Sequence, residues 1–165
     1  MNESRKCRAY YKKRKSKGER NMHENDTLKL LRECDAGVKM GVSSINDVLP
    51  DVRAKEMRER LADCRNQHET LLADIKAKLV EHCDSGKEPA PTAKGMSWIK
   101  TNMKMAFDYS DKTIADLITD GCNMGVKSLN RYLNQYSQAD SVSKGFANRL
   151  IKLEDDLAMQ MRQYL

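Results

Sequence analysis

Cys64 and His68 stand four residues apart within an apolar stripe, a spacing that puts a thiol and an imidazole on one face of a helix. Pro50 lies between them and a second pair, Cys34 and Asp35. Folding the chain back at that proline is expected to bring positions 32–36 level with Cys64 and His68. Two thiols, an imidazole and a carboxylate are a workable set for a single transition metal such as zinc. An Asp–His pair beside a thiol is also an arrangement that poises a thiolate. The third reading keeps the same residues and removes the chemistry: a buried histidine satisfied by Asp35, with the two cysteines as small hydrophobes. Elsewhere, Glu81-His82-Cys83-Asp84 reads as a solvated helix end, and Glu69 and Glu154 read as flanks of the core stripes.

The elements that must position these residues are helices. The chain has 165 residues, three prolines, eight glycines and a mean hydropathy of −0.76, too little punctuation for an all-β protein. No apolar run is long enough to cross a bilayer. Apolar or small residues recur at 30, 31, 34, 37, 38, 41, 42, 45, 48 and 49, the spacing of one helical face ended by Pro50. Asn25 and Asp26 are candidate caps for that helix. A second helix is expected from about 53 to 83, with Met57, Leu61, Cys64, His68, Leu72, Ile75 and Leu79 inward. A third, capped by Ser110, runs from about 111 to 136. The last runs from about 139 to 164, with Phe146, Leu150, Leu153, Leu157 and Met161 on one face.

Self-similarity organises these helices. Gly37-Val-Lys-Met40-Gly41-Val-Ser-Ser44-Ile-Asn46-Asp-Val-Leu49 recurs as Gly121-Cys-Asn-Met124-Gly125-Val-Lys-Ser128-Leu-Asn130-Arg-Tyr-Leu133. The chain reads as one domain over residues 23–165. One helical hairpin spans about 25–84, a linker 85–96, a short helix 97–108 and a second hairpin about 110–165. The expected fold is all-α, an antiparallel four-helix bundle of two pseudo-symmetric hairpins. A glycine inside a helix costs about 1 kcal/mol relative to alanine. Gly37, Gly41, Gly121 and Gly125 are therefore expected where the first and third helices cross at close range. The alternative is that they clear space for a ligand or partner.

Charge is unevenly placed. Residues 1–21 hold nine basic residues against two acidic ones, a net +7 out of the chain's +6, which leaves −1 for residues 22–165. This basic arm, residues 1–22, has no apolar core, so it is not a secretory signal. Three readings stay open for it. It is a solvated disordered arm, or it precedes a true start at Met22. In the third, it binds nucleic acid through Arg5, Lys6, Arg8, Lys12, Lys13, Arg14 and Lys15, with Tyr10 and Tyr11 stacking on bases. The five cysteines include no Cys-x-x-Cys pair and read as reduced thiols in the cytoplasm.

Duplicated hairpins with this Gly-xx-Met-Gly signature resemble the ferritin-like superfamily over residues 25–165, in particular bacterial ferritin-like bundle proteins without di-iron ligands. The resemblance implies a bundle that pairs side by side. The family's metal pattern, Glu-x-x-His on two helices, is absent: none of His23, His68 and His82 follows a glutamate by three. Ferroxidase and oxygenase chemistry is thereby disfavoured. No phosphate loop, G-x-S-x-G or H-E-x-x-H occurs. The expected function is that of a non-catalytic helical protein acting through self-association or a protein partner, with no cofactor. The alternatives are the metal or thiol-redox centre at Cys34, Asp35, Cys64 and His68, and the nucleic-acid arm.

Overall fold

The computed structural model describes residues 20–89 and 109–165, with side chains from residue 25 onward in the first segment. The basic arm up to residue 19, most of the linker and the expected short helix at 97–108 lie outside the described residues.

Among the described residues the chain is all-helical. Helix α1 runs Arg20–Val48, α2 Lys55–Glu81, α3 Asp111–Gln135 and α4 Ser141–Met161. Short 3-10 turns at Leu49–Asp51 and Arg162–Tyr164 follow α1 and α4. Pro50 sits in the first of these turns, where its missing N–H costs nothing. Helix α1 does not begin at Asn25 or Asp26; it passes through both. The Asp26 carboxylate and the Thr27 hydroxyl instead accept from the backbone N–H groups of Gln138 and Asp140, closing the turn between α3 and α4.

Caps come from near and far. Ser110 accepts from the Thr113 N–H as expected, and Asp140 caps α4 by accepting from the Ser143 N–H. Helix α2 has no side-chain cap of its own. The Asp111 carboxylate at the head of α3 accepts from the Arg53 and Ala54 N–H groups just before it, at 2.7 and 2.8 Å.

Each helix packs against its sequence neighbour in the hairpin; α1 also packs on α3 and α4, and α2 on α4. The buried side chains form two clusters. One holds Ile45, Val48, Met57, Leu61, Cys64, Ile114, Ile118, Leu157 and Met161. The other holds Leu30, Leu31, Cys34, Val38, Leu71, Ile75, Leu79, Leu129 and Leu150. The periodicity assigns the core well, with two shifts: Leu71 rather than Leu72 is enclosed, and Phe146 and Leu153 are only half-buried.

Candidate functional site

A polar layer separates the two clusters. On every helix one cluster ends and the other begins seven residues apart, at Val38 and Ile45, Cys64 and Leu71, Cys122 and Leu129, and Leu150 and Leu157. The residues in the middle of those intervals are Gly41, His68, Gly125 and Glu154. Two helices thus contribute no side chain and the other two contribute long polar ones. The glycines make the room: an added Cβ at Gly41 would stand 2.9 Å from both His68 Cδ2 and Nε2, and one at Gly125 3.1 Å from Glu154 Cδ. Real Cβ contacts of the first kind do not occur, so a side chain at Gly41 would displace the ring.

The expected glycine-on-glycine crossing is corrected accordingly. Gly37 lies against Leu150, 3.3 Å from its Cδ2, and Gly121 meets nothing within 4 Å. The three glycines with close neighbours receive side chains of α2 and α4 rather than the backbone of the other glycine helix.

His68 is buried and its two nitrogens face different groups. Nδ1 lies 2.9 Å from the Cys64 carbonyl oxygen and 3.5 Å from Cys64 Sγ. Nε2 lies 3.7 Å from Glu154 Oε1, beyond hydrogen-bond range, and has no hydrogen-bond partner. Burial pulls the imidazole toward neutrality, but the Cys64 side chain and the Glu154 carboxylate outweigh it and raise His68 to about 10. Glu154 also touches Cys122, whose thiol is pushed upward by burial first and by the Glu154 charge second. The group therefore sets an imidazole favoured in its charged form between the Cys64 sulfur and the Glu154 carboxyl group, with the Cys122 thiol, held protonated, beside the latter. Glu154 is not the solvated flank its position suggests; Glu69, its matched residue, is exposed.

Cys34 and Asp35 do not join this group. Cys34 belongs to the cluster on the far side of the polar layer from Cys64, and burial followed by the charges of Glu33 and Asp35 pushes its thiol up to about 12. Asp35, fully buried on α1, holds the segment that follows α2. Its Oδ2 accepts from the Lys87 N–H at 2.8 Å and from Lys39 Nζ at 2.9 Å. Lys39 reaches on to Glu88, and Lys87 pairs with Glu33. Arg32 binds Asp84 in the same strap. Gly86 turns the strap at φ +83°, a left-handed conformation suited to glycine. The reversal after α1 explains the slip. It is not made at Pro50 alone, since Leu49–Asp51 form a turn and residues 52–54 run extended before α2 starts, so Gly41 arrives beside His68 in place of Asp35.

No group of three or more His, Cys, Asp or Glu suited to a metal ion occurs among the described residues, so the expected ligand set is not assembled. Cys34, Cys64 and Cys122 are free and buried, whereas Cys83 is disulfide-bonded, which corrects the expectation of reduced thiols throughout. Cys83 occupies the half-buried turn after α2, where a thiol is open to pairing; the other three are closed in by core side chains. No described helix is long and apolar enough to cross a membrane. The candidate contacts from Arg5 to Lys15 lie outside the described residues. No family model, curated protein or solved structure matches this chain.

Proposed function

We propose that this chain is a non-catalytic antiparallel four-helix bundle, made of two duplicated hairpins as in ferritin-like proteins, that acts by binding a second copy of itself. The tie-points between helices support the arrangement. Asp26 near the start of α1 holds Gln138 beyond the end of α3, and Arg53 beyond the end of α1 is held by Asp111 at the start of α3. These bonds run α1 and α3 in opposite directions.

The observation that carries the function is the placement of Met40 and Met124. They occupy matched positions of the two similar segments, and they are 41% and 54% exposed, so core packing does not explain their identity. Fourteen residues separate Asp26 from Met40 and Met124 from Gln138, which puts the two methionines level across the α1–α3 seam. Methionine is the apolar side chain most adaptable to a partner surface. A face bearing two matched methionines is self-complementary under a two-fold axis, the symmetry of the commonest homodimers. Three buried free thiols support a reducing compartment such as the cytoplasm, and the disulfide at Cys83 counts against it.

Light scattering on eluting protein, wild type against a Met40→Lys/Met124→Lys double variant, tests the reading. A wild-type dimer that becomes a helical monomer in the variant is expected. A wild type that stays monomeric at all concentrations removes the proposal.

A further inference from the structure

We propose that Cys64 is a modification site, a reactive thiol held against the His68 imidazole with Glu154 behind it, which takes up small peroxides. The geometry sets a thiol, an imidazole favoured in its charged form and a carboxyl group in sequence: Sγ to Nδ1 3.5 Å, with Nδ1 also 2.9 Å from the Cys64 carbonyl oxygen, and Nε2 to Oε1 3.7 Å. The fully buried ring nitrogen Nε2 has no hydrogen-bond partner and is aimed at the carboxylate, into the space that Gly41 and Gly125 leave.

An imidazolium beside sulfur stabilises the thiolate, the form that reacts. The neighbours of the other two free thiols do the reverse. Cys34 has Glu33 and Asp35 for company, and Cys122 has Glu154 and Asp155. The titratable groups acting on His68 are Cys64 on its own helix and Glu154 on α4; Cys122 on α3 acts on Glu154 and Cys64, while α1 presents Gly41. Glu154, whose side chain is 12% exposed, is the most exposed member of the group.

The reaction balances without a further partner. The Cys64 thiolate attacks one oxygen of hydrogen peroxide, forming an S–O bond and breaking the O–O bond. The departing hydroxide takes a proton from the His68 imidazolium and leaves as water. Sulfur is oxidised by two electrons to the sulfenic acid and the peroxide is reduced to water.

The test treats the full chain with hydrogen peroxide, traps sulfenic acid with a 1,3-dione and quantifies each cysteine by peptide mass spectrometry. Cys122, 4% exposed against 6% for Cys64, is the matched internal control, and Cys34, fully buried, reports opening of the fold. Labelling of Cys64 at least ten times faster than Cys34 and Cys122, and slowed about tenfold in His68→Gln and in Glu154→Gln, is expected. Equal rates at Cys64 and Cys34 in the wild type overturn the proposal, as does unchanged Cys64 labelling in a folded His68→Gln protein.

Discussion

Gly41 and His68 occupy one space: the ring of the second lies where the side chain of any other residue at the first would have to go. The four repeated-segment glycines are therefore not equivalent. Gly41→Ala should destabilise the fold by about 1–3 kcal/mol, the usual cost of forcing a buried group aside. Gly121→Ala meets open space and removes a flexible helix position, so it should stabilise by about 0.5–1 kcal/mol. Gly125→Ala should fall between them, because the Glu154 side chain can withdraw. Urea unfolding followed by circular dichroism reads all three.

Stability should fall as the solution becomes alkaline. His68 titrates at about 10 when folded, above the ordinary histidine value near 6.5, because Cys64 and Glu154 favour its charged form more than burial opposes it. A raised pKa contributes stability that is fully present below about 6.5 and is lost as pH climbs through about 10. The midpoint of urea unfolding should therefore decline between pH 7 and pH 10 in the wild type, and much less in Glu154→Gln. A wild-type midpoint flat over that window contradicts the His68–Glu154 coupling.

The strap after α2 hangs on one carboxylate. Asp35→Ala strands the Lys87 N–H and leaves Lys39 with Glu88 and the Lys87 carbonyl oxygen, and it should cost about 2–4 kcal/mol, as expected for one partner removed from a part-buried charged pair. Gly86→Ala should be severe as well, since its Cβ would run into the Asp35 carboxyl group, 2.9 Å from Cγ, at a positive φ. Both changes should speed proteolytic cleavage within residues 84–89, and terminal sequencing of the fragments locates the cut.

Asp111 is a cap supplied to α2 from another helix. Asp111→Ala should lower stability by about 1–2 kcal/mol, the range for loss of a capping carboxylate. Hydrogen exchange should show the first turn of α2 opening more often, with α4 unaffected.

Met40 and Met124 give the last expectation. A single Met40→Lys or Met124→Lys change should weaken self-association, and the pair should abolish it, without loss of helix content. Sedimentation at several concentrations distinguishes the variants.

Periodicity and punctuation carry much of this protein openly in the sequence. The helical stripes place Leu30, Leu31, Ile75, Leu79, Leu150 and Leu157 in the core, and Ser110 announces the start of α3. The contact of Cys64 with His68 is also legible, because neighbours four apart on a helix are fixed by local geometry alone. The partner of His68 on another helix is not. It depends on how many residues the reversal near Pro50 consumes and on which volumes fit at the seam, so Glu154 takes the place expected for Asp35 and Asp35 fastens the strap instead. The caps at Asp26, Thr27 and Asp111 belong to the same class, each bonded more than fifty residues away along the chain. Spacing within a helix is a property of the chain. The register between helices is settled only when all four are packed, since burial of one polar layer between two apolar clusters is a condition on the whole assembly.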